Sequence, residues 1–298
     1  PANWTCLRDG VNLARVLGPD VLARTLSETA IPGAHGRVWQ YHSRSDRHSK
    51  VACWVTLFDM LTTSRKLSLA VEKGRICFGI NHQMIDWSTS RKKVLDLVLC
   101  RPGSSEARPD GVTFKELASD YGVILTPQER AVLQRLPPLR RGPVGPVYVA
   151  LEAKACMTEH AKARPRLYDE LNSSHLTIHG DSEKAVAVAF CMVNAATHFV
   201  SPGRAKSDGA IELTQHVQPA AAQCVVDKLQ ENPRSQAVGT RGFDALGIVV
   251  VDLRNDGSPV AVVTRAPAPK AGDAFHYDMM IQRAVHAFEE RFGDLANG

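Results

Sequence analysis

The run Val147-Tyr-Val-Ala-Leu-Glu-Ala-Lys154 has the β-branched, aromatic and aliphatic content of a buried strand, and it ends in two charges. Alternate residues of a strand face the same side, so Glu152 and Lys154 point together while Ala153 points into the core. A carboxylate is thereby placed beside an ammonium. At an internal position such charges are expected only where they are paired or bind a metal, although a Glu-x-Lys on an exposed strand is also a routine surface pair.

A second acid lies inside an apolar run upstream of this strand. The run Lys93-Val-Leu-Asp-Leu-Val-Leu99 predicts a strand that carries Asp96 at its centre. If this strand pairs with the strand of Glu152, the two carboxylates can converge on one hard cation through oxygen ligands. Lys154 then lies next to the metal, where a cation can orient the water that attacks a phosphodiester or stabilise the charge that develops.

The elements around these strands alternate between helical and strand patterns. Such alternation predicts an α/β fold with a mixed central sheet flanked by helices. We expect residues 1–48 to form an N-terminal helical segment with a basic loop, and residues 49–298 to form one catalytic domain with insertions at 101–146 and 202–244. The predicted order within that domain is helix 51–70, strand 74–80, strand 93–99, strand 147–154, helix 159–171, strand 185–194, helix 219–229, strand 245–252, strand 259–264 and helix 274–292.

With these residues in this order, the sequence resembles the PD-(D/E)xK nuclease superfamily, which includes many type II restriction endonucleases. The resemblance covers the elements between residues 51 and 194, and it rests on Asp96, Glu152 and Lys154. It implies a restriction-endonuclease-like core that cuts double-stranded DNA, with Asp96 and Glu152 binding Mg²⁺ and Lys154 assisting the attacking water. A less specific repair or antiphage-defence nuclease and a non-catalytic DNA-binding module on the same core are the alternatives.

The sequence departs from the family pattern at two points. Leu95 stands where the motif has its proline, and the long interval from Asp96 to Glu152 requires the insertion at 101–146. A Pro109-Asp110 pair lies nearer to Glu152, but the surrounding Arg-Pro-Asp-Gly is typical of a turn. The alternatives to Asp96 as the first acid are Asp110, Asp86 and Asp120.

Two groups of basic residues are candidates for DNA contacts. One group precedes the helix predicted to begin near residue 51, and the other follows the strand that ends at Lys154. We expect the second group to contact phosphates, and an arginine of the first group to donate two hydrogen bonds to a guanine edge. A solvated loop and a solvated helix face are the competing interpretations. The first group is Arg44, Arg47 and Lys50; the second is Lys162, Arg164 and Arg166.

The composition restricts the class of protein further. A net charge of +5 over 298 residues is compatible with a polyanionic partner. The seven cysteines are scattered and show no C-x-x-C spacing, which favours free thiols of a cytoplasmic protein and no structural zinc. We expect no membrane-spanning segment and, without a phosphate-binding loop motif, no nucleotide cofactor.

Two further expectations concern histidines and assembly. His175 and His179 are four residues apart, as two ligands on one helix face would be, but their serine- and glycine-rich surroundings predict a polar loop. Cutting both strands of a duplex needs two active sites, so a homodimer or higher homo-oligomer is expected.

Overall fold

The computed structural model describes residues 16–103, 111–202, 213–235 and 240–297, which form an α/β fold around one mixed sheet. The described helices are α1 (Gly18–Leu26), α2 (Arg47–Thr63), α3 (Arg65–Glu72), α4 (Phe114–Asp120), α5 (Pro127–Arg135), α6 (His160–Asp181), α7 (Ala220–Gln230) and α8 (Tyr277–Phe292). The described strands are β1 (Ile31–Pro32), β2 (Val38–Trp39), β3 (Cys77–Asp86), β4 (Arg91–Pro102), β5 (Val144–Cys156), β6 (Val186–Asn194), β7 (His198–Val200), β8 (Leu213–Gln215), β9 (Ala245–Asp252) and β10 (Ala261–Val263).

The central sheet has the strand order β10-β9-β6-β5-β4-β3. Strands β3, β4 and β5 are consecutive antiparallel neighbours, after which α6 crosses over so that β6 lies parallel to β5. Strand β9 continues the parallel part, and β10 pairs with it antiparallel at the edge. The predicted fold class, a mixed sheet flanked by helices, is therefore confirmed.

Two hydrophobic cores cover the two faces of this sheet. On one face, α1, α2, α3 and α8 pack against strand residues such as Leu97, Leu151 and Phe190. On the other face, α6 and α7 pack against residues such as Ala150 and Cys191. Every residue of β6 is buried, as expected for a parallel strand with helices on both sides.

Several predicted element boundaries differ from the structure. The helix predicted over 51–70 is two helices, and Ser64 separates them by accepting a hydrogen bond from the backbone of Leu67 at the start of α3. Strands β3 and β4 continue through most of residues 81–92, which separate the two predicted strands, because polar residues on paired strands keep their backbone hydrogen bonds and expose only side chains.

The expected polar loop around His175 and His179 is wrong, because α6 continues to Asp181. The hydroxyls of Ser174 and Thr177 donate to the carbonyls one turn earlier, so the residues that suggested a loop are satisfied within the helix. Each histidine has its own partner, Asn172 Oδ1 for His175 and the carbonyl of Gly242 for His179.

The expected insertion at 101–146 contains α4, α5 and the start of β5. Both helices begin with a threonine capping box, Thr113 with Glu116 and Thr126 with Glu129. Glu129 also accepts two hydrogen bonds from Arg24, at 2.9 and 3.0 Å, which ties this segment to α1. The boundary expected between residues 48 and 49 falls in the first turn of α2, and α1 shares the core of that helix.

The start of α1 is held by a buried carboxylate of α2. Asp59 accepts hydrogen bonds from the backbone of Gly18 at 2.8 Å and Leu17 at 3.1 Å, and from the hydroxyl of Tyr277 at 2.9 Å. Burial nevertheless raises the pKa of Asp59 to about 7. This one side chain joins α1, α2 and α8.

We predict that Asp59 makes folding stability depend on pH. The pKa is raised in the folded state above the value of about 4 in an unfolded chain, so its contribution is complete at acid pH and is lost as pH rises towards 7. Between pH 5 and 8 the free energy of unfolding should fall by about 2–3 kcal/mol more in the parent than in Asp59→Asn. Urea unfolding at several pH values measures this difference, with exposed Asp120→Asn as the control. Parallel profiles for the parent and Asp59→Asn would contradict it.

Candidate active site

The pairing between β4 and β5 stops short of the end of β5. Along these fully described strands, the register runs from Pro102 opposite Val144 to Leu97 opposite Leu151 and goes no further. Beyond that point the backbone N–H of Ala153 donates to the carboxylate of Asp96, at 2.8 Å, in place of a strand carbonyl. On its other side β5 stays paired with β6 as far as Cys156. A gap therefore opens between β4 and β5 beside the predicted catalytic residues.

Glu152 and Lys154 lie together on the α6 side of β5, as the alternation predicted. Lys154 Nζ is 2.6 Å from Glu152 Oε1, and Lys93 Nζ is 3.8 Å from the same oxygen. The Glu152 side chain is about 2% exposed, and its other oxygen, Oε2, has no hydrogen-bond partner among the described residues. Burial raises the pKa of Glu152, the charge of Lys154 opposes this, and the charge of Asp96 raises it again. One buried carboxylate oxygen thus remains available to a ligand.

Lys154 is held as a charged ammonium. Burial alone lowers its pKa, but the carboxylates of Glu152 and Glu170 outweigh that effect and leave the pKa above its ordinary value. Glu170 Oε2, on α6, is 3.3 Å from Lys154 Nζ. A protonated lysine cannot accept a proton, so its chemistry at this site is to donate hydrogen bonds and to stabilise negative charge.

Lys93 and Glu170 were missed by the sequence analysis. Lys93 Nζ donates to the backbone carbonyl of Glu170 at 2.7 Å, and burial lowers the pKa of this lysine. Lys93 precedes Asp96 by three residues, so strict alternation puts the two side chains on opposite faces of β4. The part played by Glu170 depends on how α6 packs across the sheet, and the sequence carries no signal for either residue.

Asp96 opens into a cleft on the α2 side of the sheet. The cleft lies at the start of α2, and burial raises the pKa of Asp96 although the N–H of Ala153 opposes this. Lys50 bonds Asp46 at 2.8 Å and lies over the ring of Tyr121, 5.7 Å from its centroid. The other side chains that line the cleft are those of Ser49, Cys53, Ile80, Asn81 and Leu97.

The alternative first acids lie elsewhere. Asp86 accepts hydrogen bonds from Ser88 and Thr89 in the turn between β3 and β4, and these bonds lower its pKa to about 2. Asp120 is an exposed residue at the end of α4. Asp110 lies outside the described residues. Of these candidate first acids, Asp96 is the one that contacts β5 beside Glu152 and Lys154, through the N–H of Ala153.

The first basic group divides between two environments. Arg44 is exposed on the loop before α2. Arg47 is not on that loop, contrary to expectation: it is the first residue of α2, and its guanidinium donates to the carbonyl of Thr25 at 2.9 Å. Burial lowers the pKa of Arg47, and its contact with the end of α1 makes it a structural cation.

The second basic group lies along the first turns of α6. Lys162 is exposed and bonds Glu159 at 2.9 Å. Arg166 Nε is 3.8 Å from Glu170 Oε1, which joins it through Glu170 to Lys154. Arg164 lines a surface groove between α6 and α7, away from the gap between β4 and β5.

The carboxylates beside the gap limit which metal ion could bind there. In residues 16–103, 111–202, 213–235 and 240–297, no group of three or more His, Cys, Asp or Glu side chains is arranged to hold a metal. Mg²⁺ in phosphoryl chemistry needs only one or two carboxylates, because waters and substrate phosphates complete its shell. Asp96 and Glu152 provide two carboxylates beside the gap, Asp96 from the cleft on the α2 side and Glu152, with its unpartnered oxygen, from the α6 side.

Comparison with known proteins places the chain in no family. No family model matches it, and neither the curated proteins nor the solved structures include a significant match. None of the helices that the structure describes is long and apolar enough to cross a membrane.

We predict that Mg²⁺ or Ca²⁺ stabilises the protein in the absence of DNA, because either cation would give Glu152 Oε2 a partner. At a free concentration ten times the Kd, binding should add about 1.4 kcal/mol to the free energy of unfolding. The gain should disappear in Asp96→Asn, which keeps an acceptor for Ala153, and in Glu152→Gln. It should also weaken at acid pH, where Glu152 with its raised pKa takes up a proton. Thermal melts with and without EDTA measure it.

Asp120→Asn is the matched control, since it removes an exposed carboxylate from outside the gap. Equal stabilisation of the parent, Asp96→Asn and Glu152→Gln by the cation would show that these carboxylates do not bind it.

Proposed function

We propose that this protein is a Mg²⁺-dependent endonuclease that hydrolyses phosphodiester bonds of double-stranded DNA, built on a restriction-endonuclease-like core. The observation that carries the proposal is the gap between β4 and β5. There Glu152 and Lys154 form an ion pair on β5, and the N–H of Ala153 between them donates to Asp96 on β4. One carboxylate oxygen of Glu152 has no partner among the described residues. The order α2, β3, β4, β5, α6, β6 around the gap is the order on which the resemblance rests.

Each side chain has a separate part in this proposal. Asp96 and Glu152 would hold the cation, which when bound would neutralise the scissile phosphate and acidify its water. Lys154, held as an ammonium, donates hydrogen bonds to the attacking water or to the charge that develops on the phosphorus oxygens. Glu170 and Lys93 fix Lys154 and Glu152 from either side, so that neither has to reorganise when the substrate arrives.

The start of α2 supports the placement of a phosphate near Asp96. Unpaired backbone N–H groups at a helix N-terminus favour an anion, and α2 has 17 residues and presents Lys50 from its first turn. The side chain of Asp46, the residue before α2, accepts no capping hydrogen bond and instead pairs with Lys50. A phosphate in this cleft would lie beside Lys50 and the positive end of a helix, with Asp46 and Asp96 as the neighbouring acids.

Sequence-specific cleavage by a homodimer, as in type II restriction endonucleases, is the form of the proposal that we favour. Arg44, exposed on the loop before α2, is available for recognition, whereas α4, α5 and α7 of the two expected insertions pack into the hydrophobic cores. A cytoplasmic location is supported by six free cysteines among the described residues, including Cys77 and Cys100, whose sulfurs are 3.4 Å apart. A less specific defence or repair nuclease is the alternative, and discrete digestion fragments would distinguish the two.

We predict that the purified protein cuts plasmid DNA with Mg²⁺ and that Lys154→Ala lowers the rate by about two orders of magnitude or more, since it removes a preorganised cation. Asp96→Asn and Glu152→Gln should do the same. Ca²⁺ should support binding without cleavage, because it takes the same oxygen ligands in a looser geometry. Gel analysis of timed digests measures these rates.

The control for this experiment is Lys184→Ala, which removes an exposed lysine at the turn before β6. Cleavage that persists in EDTA, or that is as fast in Lys154→Ala as in Lys184→Ala, would overturn the mechanism. Binding without any cleavage would favour the non-catalytic DNA-binding module.

We also predict different salt responses from the two basic groups. Lys162→Ala should weaken binding to every duplex and flatten the slope of log affinity against log salt by about one unit. Arg44→Ala should cost roughly 1–3 kcal/mol on the cognate duplex alone. Titrations against specific and random duplexes in Ca²⁺ compare the two variants. Equal losses on both duplexes for Arg44→Ala would reject base recognition by this residue.

A further inference from the structure

The hairpin of β3 and β4 extends beyond the rest of the sheet. Strand β4 pairs with β5 only from Leu97 onwards, whereas β3 and β4 stay paired from His82 opposite Leu95 to Asp86 opposite Arg91. Residues 82–95 therefore form a two-stranded ribbon that leaves the sheet beside the gap. We name this segment the β3–β4 ribbon.

One face of the ribbon is covered and the other is not. Met84 and Leu95 are fully buried in the core that contains α6, so this face packs on the helix. On the opposite face Val94 is 53% exposed, and Gln83, its partner across the ribbon, is also exposed. Antiparallel partners point to the same side, so the uncovered face is continuous across both strands.

The uncovered face leads to the cleft of Asp96. By alternation along β4, Lys92 and Val94 share this side with Asp96. Asn81, at the base of the ribbon on β3, lines the cleft together with Asp96. A ligand that lies on the uncovered face would therefore reach the candidate active site without crossing another element.

The tip of the ribbon is rigid and presents a large aromatic side chain. Trp87 is 72% exposed, although the turn around it is held tightly. Asp86 accepts hydrogen bonds from the hydroxyls of Ser88 and Thr89, at 2.6 Å each. The end of α6 fixes the strand before the tip, since Asp181 accepts the backbone N–H of Ile85 at 2.7 Å. An exposed indole on an ordered turn is typical of a contact surface and not of a frayed loop.

The charge beside the tip is positive and uncompensated. Arg91 and Lys92 follow the turn, both exposed, and neither forms an ion pair within the described residues. By contrast, Lys50 forms an ion pair with Asp46, and Lys162 forms one with Glu159. The free charges favour a polyanion as the occupant of this surface.

We propose that the β3–β4 ribbon is a DNA-contacting element that docks in a groove of duplex DNA. Lys92 and Arg91 contact backbone phosphates, and Trp87 packs at the tip against sugars and base steps. A two-stranded ribbon fits the major groove of B-DNA. In proteins that bind the minor groove, apolar side chains insert between neighbouring base pairs. This inference rests on the proposed function, because it assigns to the same active site the surface that delivers its substrate.

The test is binding of a fluorescein-labelled random-sequence duplex in Ca²⁺, followed by anisotropy at several salt concentrations. The double variant Arg91→Gln/Lys92→Gln should flatten the salt slope by about two units, because two phosphate contacts are lost. The matched control Arg65→Gln/Lys66→Gln removes the same charge from α3 and should leave the slope unchanged. Trp87→Ala should weaken binding about tenfold, the effect of losing one aromatic contact to the bases.

Tryptophan emission adds an independent measurement. The measurement uses a Trp4→Phe background, in which the tryptophans other than Trp87 are Trp39 and Trp54, both buried. Duplex DNA should quench the emission of this background and not that of its Trp87→Phe variant. Single-stranded competitor of the same sequence should displace the labelled duplex poorly. Displacement as effective as that by duplex would overturn the docking in a groove.

The two proposals fail in different ways. If the parent cuts DNA but the ribbon variants bind as the control does, the ribbon is not a DNA contact and the nuclease function stands. A different outcome is that Trp87→Ala loses a dimer in sedimentation while the double variant keeps the salt slope of the parent. That outcome would make the ribbon a contact between copies of this chain. A parent that neither binds nor cuts DNA would overturn both proposals.

Discussion

The hydrogen bond from the backbone of Ala153 to the carboxylate of Asp96 is the contact on which the functional part of this fold depends. It satisfies a strand donor at the point where the β4 backbone no longer does, so the two strands can part without leaving a buried N–H unpaired. The gap, the cleft on the α2 side and the ribbon of β3 and β4 all follow from that separation. A short side chain with an acceptor oxygen is needed at position 96 to receive this hydrogen bond.

A chain of alternating charges occupies the α6 side of the gap. It runs from Lys93 to Glu152, Lys154, Glu170 and Arg166, with contacts of 2.6 to 3.8 Å between successive members. Burying single charges is costly, and each member here is compensated by its neighbours. The same pairing keeps Glu152 and Lys154 in fixed positions before any ligand binds. Preorganisation of this kind is what an electrostatic site needs, because the groups do not have to move during the reaction.

The sequence predicted the sheet and the charged motif well, and the surrounding groups poorly. Glu152 and Lys154 follow from alternation in an apolar strand, and that local rule holds because β5 is regular and paired on its β6 side. Lys93 and Asp96 both approach Glu152 only because β4 departs from regular pairing beside Asp96, which no local pattern encodes. Arg47 shows the opposite case, a predicted DNA contact that the structure uses internally. Its guanidinium donates to the carbonyl of Thr25 in α1, and the sequence around Arg47 does not indicate that contact. The positions of these residues depend on long-range contacts, which local sequence patterns do not predict.

Helix α6 touches both the charged site and the tip of the ribbon. Glu170 meets Lys154, and eleven residues later Asp181 holds the strand before Trp87. This stretch begins after Pro165 and is a continuous helix, so it spans about 16 Å at 1.5 Å per residue. One turn of B-DNA is about 34 Å long, which makes that span close to half a turn. In the proposed complex, a duplex in contact with the tip of the ribbon would present its reacting phosphate about half a turn away. A continuous helix, and not a mobile loop, would set that distance.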